Sequence, residues 1–404
     1  MAATSRRMTT ELQQILNTAA AAGGRGVGAL LATVVRVRGS TYRRPGARMI
    51  VTDDGFSEGV VSGGCLERHV VEHGRRLTQA GRPVIVSFDT TSDDEIIWEF
   101  GLGCRGVVHL LLERITPGEA APILDALRDG LAGVCRVVVA TVVAAPPGRA
   151  DVIGRRVVLR SGEPRTPGEI DEPLMRIIAG FAADAARPTH ACFEFGDGVV
   201  EVFFEVVEPP APLVVFGAGR DAEPVVAMGH AAGWDVTLVD SRAAYATAER
   251  FPGAGRIVVC GCDEVGAQVA LCGRTYAVVM THRYHEDLAI LRTLLGSPVA
   301  YIGLLGPRVR AEELLADLRL GGFAASAEQL SRLHAPIGLD IAADNPEQIA
   351  LAILSEMAAV RGGRGGGFLR DRVGPIHEPQ SDNILRAGVA DADSARDASS
   401  IRSS

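Results

Sequence analysis

One turn constrains this chain more than any other segment. Leu213-Val214-Val215-Phe216 reads as a strand, and it runs into Gly217-Ala218-Gly219-Arg220-Asp221-Ala222 and then a helical pattern. In a G-x-G-x-x-A turn the first glycine permits the tight bend and the second lets the backbone approach a diphosphate. The third small residue lets helix and strand pack closely. The helix start offers unpaired N–H groups and a positive dipole end to an anion. The next strand ends at Asp240, where an acid accepts from ribose hydroxyls. Gly217, Gly219, Arg220 and Asp240 are therefore the expected nucleotide contacts. The plainer alternative stays open, that the glycines serve only the bend. Asp221 and Glu223 suit the helix dipole, but they oppose a diphosphate.

The pattern continues downstream. Strands are expected at 213–217, 235–239, 256–260, 276–280 and 299–302, with helices between them. Such alternation predicts a Rossmann-type, doubly wound parallel sheet. Asn345 is the expected N-cap of a last helix, with Pro346 at its first position. Upstream, helices are expected over 10–22 and 66–78, and strands over 29–38, 48–52, 84–88 and 107–112, in a mixed α/β domain. Glu208-Pro209-Pro210-Ala211-Pro212 cannot continue a helix or a central strand. The expected division is an N-terminal domain over 1–207, a linker over 208–212, a Rossmann-type domain over 213–361 and a disordered tail over 362–404. A chain of 404 residues is long enough for two cores.

Composition removes several function classes. All 41 basic residues are arginine, so a Schiff-base lysine and a Walker A lysine are both excluded. A net charge of −8 makes nucleic acid a poor partner. No apolar run approaches the length of a spanning helix, and the first residues lack signal-peptide shape. Seven scattered cysteines do not form a disulfide framework. A cytoplasmic protein with reduced thiols and no membrane partner is expected.

Three further segments carry chemistry. Ser62-Gly63-Gly64-Cys65 stands between a strand and a helix, which places Cys65 at a helix start, where the dipole favours a thiolate. Gly101-Leu102-Gly103-Cys104 repeats the glycine–cysteine arrangement, with Arg105 beside it. Cys65 and Cys104 are candidate nucleophiles or soft ligands, although free cysteine is often only a small buried apolar residue. Arg43, Arg44 and Arg48 surround Pro45-Gly46, and Arg44 is taken as the anion contact of that loop. Ser62, Gly63 and Gly64 are expected to line the same site. Thr281-His282-Arg283-Tyr284-His285-Glu286-Asp287 follows a strand, so His282 is a candidate acid or base in the crevice. For Asp287, a capping and a functional role are equally open. Arg308, in the turn after the next strand, is a candidate anion contact. No resident metal is expected, because Cys260-Gly261-Cys262 lacks a second ligand pair.

Taken together, the motifs resemble the XdhC/CoxI family. Gly39-Ser40-Thr41, Arg44-Pro45-Gly46-Ala47, Ser62-Gly63-Gly64-Cys65-Leu66-Glu67 and Gly101-Leu102-Gly103-Cys104 resemble its N-terminal domain. Phe216-Gly217-Ala218-Gly219, Asp240-Ser241-Arg242, Met280-Thr281-His282, Tyr301-Ile302-Gly303-Leu304-Leu305-Gly306 and Pro346-Glu347-Gln348 resemble its C-terminal Rossmann domain. The two glycines before Cys65 are closer to the CoxI-like branch than to the triple-glycine form. Arg105 departs from the glycine that follows the second cysteine in the family.

The resemblance implies an accessory protein that binds molybdenum cofactor transiently in its molybdopterin form. It would protect the cofactor during sulfuration and insert it into a molybdenum hydroxylase of the xanthine dehydrogenase or CO dehydrogenase type. The implied partners are the apo-hydroxylase, a cysteine desulfurase-type sulfur donor and further copies of the chain in a homo-oligomer. The competing expectation is an NAD(P)-dependent oxidoreductase using the Rossmann domain, or a domain holding another nucleotide. A scaffold with an empty Rossmann domain is the third.

Overall fold

A computed structural model of the chain describes residues 11–39, 41–89, 106–133, 136–165, 170–185, 188–195, 198–374 and 385–387. Two compact units divide between Pro209 and Pro210, and the described residues after 372 belong with the first.

In the first unit, β1 (Ala29–Gly39), β2 (Arg48–Thr52), β3 (Ser57–Gly59), β4 (Val84–Asp89) and β5 (Gly106–Ile115) form an antiparallel sheet. Its order is β3-β2-β1-β5-β4. β1 is the central strand because its aliphatic run can be buried on both faces. Leu30, Ala32 and Val34 pack with Leu66 and Val70 of the helix Cys65–Leu77. Ala29 and Leu31 pack with Ile15, Leu16 and Leu127, from the helices Glu11–Gly24 and Pro122–Ala132.

A second sheet contains β6 (Val137–Ala144), β7 (Arg156–Arg160), β8 (Glu163–Arg165), β9 (Thr189–Phe195) and β10 (Gly198–Val207). Its order is β9-β10-β6-β7-β8, and the segment Leu385–Ala387 adds a parallel strand beside β9. Three arginine–carboxylate pairs join this sheet to the first: Arg36 with Glu201, Arg48 with Glu205, and Arg156 with Glu113. The last two pairs are buried, and arginine's planar fork suits such sites.

The second unit contains β11 (Pro212–Phe216), β12 (Asp235–Asp240), β13 (Arg256–Val259), β14 (Tyr276–Val279), β15 (Tyr301–Leu304) and β16 (Leu333–His334). All are parallel, in the order β13-β12-β11-β14-β15-β16. Numbered within the domain this is 3-2-1-4-5-6, the Rossmann order. Leu213 and Val215 face the helices Ala222–Ala231 and Pro346–Arg361. Val214 and Phe216 face Tyr284–Gly296 and Arg308–Leu320. The sheet is therefore doubly wound, as expected. Five of its strands coincide with the sequence reading to within two residues; the two-residue β16 was not foreseen. Asn345 caps the last helix, its Oδ1 accepting from the Gln348 N–H at 2.9 Å. No helix among the described residues is long and apolar enough to cross a membrane.

Candidate functional site

The order of the Rossmann sheet reverses between β11 and β14, so the crevice opens at their carboxyl ends. Gly217 follows β11 with a φ of 115°. A Cβ there would lie 2.5 Å from the Met280 carbonyl oxygen and 3.0 Å from the Thr281 Cα. Only glycine lets the turn cross so close to the end of β14. The Gly217 N–H donates to Val239 and the Met280 N–H to Phe216, which ties three strand ends together.

Each acid of this turn has a cationic or imidazole partner. Asp240 is buried. Its carboxylate accepts from the Ala218 N–H at 2.6 Å and from Arg242 through the backbone N–H, Nε and Nη2, at 2.8–2.9 Å. Burial alone would raise its pKa, but these donors hold it below the ordinary carboxylate value. The group expected to meet ribose hydroxyls is thus already committed within the fold. Glu223 accepts from Arg250, which also donates to the Ala218 carbonyl. The Tyr245 ring lies beneath the Arg242 guanidinium at 4.2 Å. Asp221 is bonded to His282 Nε2 at 2.6 Å.

The Asp221–His282 pair changes the meaning of the second glycine. A Cβ on Gly219 would collide with Asp221 Oδ1. The missing side chain at 219 therefore makes room for the chain's own carboxylate. His282 reaches Asp221 from a left-handed backbone, φ 61°, which costs a non-glycine residue about 1–2 kcal/mol. Arg220 and Arg308 are exposed, and their side chains have no hydrogen-bond or ion-pair partner among the described residues. They are the uncommitted cations of the two turns. Asp287, left open between capping and function, is buried: it accepts from Thr281 Oγ1 at 2.5 Å and Arg310 Nη2 at 2.7 Å. It fastens the floor of the crevice.

Beside this floor a narrow cleft is lined by Asp240, Ser241, Cys260, Cys262, Thr281 and Glu286. Burial raises both thiols, helped by Glu264 at Cys260 and by Asp263 and Glu286 at Cys262. Both therefore favour the protonated form. Among the described residues no cluster of three or more His, Cys, Asp or Glu side chains is arranged to hold a metal ion.

In the first unit, the helix Cys65–Leu77 begins after Gly64, whose φ is 114°. Ser62 and Glu67 build this turn together. The Glu67 carboxylate accepts from the Val61 and Ser62 N–H groups and from Ser62 Oγ, at 2.5–3.1 Å. Ser62 Oγ in turn accepts from the Gly64 and Leu66 N–H groups. The serine hydroxyl shapes the turn, and Glu67 is the residue sequence reasoning missed. Its signal was an acid in the first turn of a helix that opens after a serine. Cys65 is the first residue of the helix, with its side chain outside the described set; Cys104 lies outside the described residues altogether.

The loop 41–47 lies against this turn. The Tyr42 ring stands over Gly63, with its Cγ 3.8 Å from where a Cβ would be. Glu11 bridges loop and turn, accepting from Arg43 Nη2 at 2.5 Å and the Val60 N–H at 3.1 Å. Arg48 donates to Glu205 and to the Gly46 carbonyl. Arg44 differs from both. Its guanidinium has no ion-pair partner among the described residues, whereas its buried Nε without an acceptor is shared with Arg43 and Arg48.

Comparison with known proteins gives matches across both units. Residues 213–357 match the XdhC Rossmann domain, and residues 23–89 match the XdhC and CoxI family. A probable xanthine dehydrogenase subunit of Bacillus subtilis is 29% identical over 336 residues, covering 82% of this chain and 93% of that protein. The molybdenum cofactor insertion chaperone PaoD of Escherichia coli is 25% identical over 356 residues, covering 88% of this chain and 90% of that one. A crystal structure of a xanthine dehydrogenase from Bacillus halodurans aligns with a TM-score of 0.71 at 26% identity, over 88% of this chain and 97% of that one.

Proposed function

The chain belongs to the XdhC and CoxI family, and from that premise we propose that it carries molybdenum cofactor to an apo-molybdenum hydroxylase as an accessory protein. The observation that carries this reading is the likeness to a molybdenum cofactor insertion chaperone along nearly the whole chain. The residues present suit the cargo. Molybdenum cofactor is a phosphorylated pterin with a metal-binding dithiolene, so a carrier needs an anion contact and a soft ligand that release on demand. Arg44 is an uncommitted guanidinium beside a glycine turn, and Cys65 opens the helix at that turn. In this reading Cys65 is the candidate soft ligand for the metal end of the cargo and Arg44 the candidate contact for its phosphate. Protection lasts while a cysteine desulfurase-type donor installs the terminal sulfur. The client is then a hydroxylase of the xanthine dehydrogenase or CO dehydrogenase type.

The test is to purify the full chain after co-expression with cofactor synthesis, then measure molybdenum and oxidised pterin fluorescence per chain. Wild type should carry both. Cys65→Ala should lose most of the molybdenum at an unchanged melting temperature. A wild-type protein free of pterin and metal would refute the carrier role.

A nucleotide in the Rossmann crevice is the second reading, and the uncommitted Arg220 and Arg308 favour it. It does not require hydride transfer. Titration with NADH and with NADPH, alongside the cofactor measurement, distinguishes a resident nucleotide from an oxidoreductase substrate.

A further inference from the structure

We infer that Tyr42 and Arg44 together form the subsite for the pterin end of the cargo, with the ring system stacked on Tyr42 and the phosphate held by Arg44. The inference rests on the carrier reading above and adds the part of the cargo that each side chain recognises.

Tyr42 is 68% exposed although it stands directly over Gly63. An exposed phenol ring is able to stack on another planar group. Stacking is the favoured use of its face, because every heteroaromatic ring has a matching one. Space continues past the ring, since no atom lies within 4 Å of a Cβ position on Gly64.

Arg44 is the second, independent observation. Arg43 and Arg48 each have a carboxylate partner through their terminal nitrogens. Arg44 has none among the described residues, while a buried Nε without an acceptor is common to all three. A guanidinium whose terminal nitrogens have no carboxylate gains charge-assisted hydrogen bonds when an anion arrives. Phosphate oxygens match the guanidinium fork.

Tyr42 and Arg44 are also held on a rigid turn. Thr41 Oγ1 donates to the Arg43 carbonyl at 3.1 Å, and the Ala47 N–H donates to the Arg44 carbonyl at 3.0 Å. The Gly46 N–H and the Ala47 carbonyl bond to Val34 of β1, both at 2.8 Å. Binding therefore orders little that is not already ordered.

The test titrates the full chain with a free pterin and with its phosphate ester, following pterin fluorescence. Wild type should prefer the phosphate ester. Tyr42→Ala should weaken both ligands by about tenfold, while Tyr42→Phe should behave as wild type. Arg44→Gln should still bind the free pterin but lose the preference for the ester. Circular dichroism confirms that each variant is folded. Wild-type affinities in Tyr42→Ala, or an intact ester preference in Arg44→Gln, would overturn the assignment. Wild-type protein that binds neither probe, yet carries molybdenum and pterin after co-expression, overturns the subsite and leaves the carrier role standing. Absence of cofactor from co-expressed wild type removes both.

Discussion

Replacing Asp221 by Asn should open the Rossmann turn to anions. The carboxylate now fills the space above Gly219 and is held there by His282. A diphosphate entering the turn would be its near neighbour. Two unit charges roughly 5 Å apart, with an effective dielectric of about 20, repel by about 3 kcal/mol. The Asp221 side chain is 21% exposed, so solvent and salt reduce this to about 1–2 kcal/mol. That is about a tenfold change in affinity. Asparagine keeps the shape and can still accept from His282, so the turn itself should survive. Isothermal titration with pyrophosphate and with ADP at two salt concentrations measures the effect. Asp221→Asn should bind both ligands more tightly, and its advantage should shrink at high salt. Equal or weaker binding by the variant would show that the carboxylate does not occupy the anion position.

Two further predictions concern the folded state. Burial pushes the His190 pKa down to about 4, the bond to the Val35 carbonyl resisting and Arg36 adding to the shift. Between about pH 4 and the unfolded value near 6.5, the unfolded chain takes up the proton first. Stability should fall by up to about 3 kcal/mol as the pH drops through that window. Urea unfolding at pH 7 and pH 5 measures the slope, and His190→Gln should flatten it. His69 and His109, also depressed by burial, keep a residual slope in the variant. Gly217→Ala should cost about 2–4 kcal/mol, because its Cβ meets backbone atoms that cannot turn aside. A thermal melt of the full chain equal to wild type would refute that.

The Rossmann domain was largely legible because its information is local. Each strand, glycine turn and helix is a contiguous pattern, and the parallel order follows from the alternation. β16 escaped because two residues carry no period. The first unit was legible only in pieces. β1, β2, β4 and β5 have clear strand patterns, but nothing local says that β1 lies between β2 and β5 or that a second sheet covers them. The site divides in the same way. Gly217 and Gly219 were recognisable as special positions. What fills the space at Gly219 was not, because Asp221 and His282 are 61 residues apart. Asp240 looked like a ribose acceptor until its commitment to Arg242 was seen. The three arginines of the 41–48 loop are alike in sequence. Arg44 is set apart only because distant Glu11 and Glu205 take the other two.

The arginine–carboxylate pairs between the two sheets of the first unit also bear on how that unit finds its alignment. Glu201 and Glu205 point the same way from β10, towards Arg36 and Arg48. A slide of β10 by one position would turn both carboxylates to the opposite side, leave the part-exposed Arg36 without its partner and strand the Arg48 guanidinium in the buried interior. An isolated charge in such a place costs several kcal/mol, whereas the correct pair gains little over an apolar replacement. The charges thus work as index marks. They add little to the strength of the finished stack, and they make a mis-seated one too unfavourable to persist.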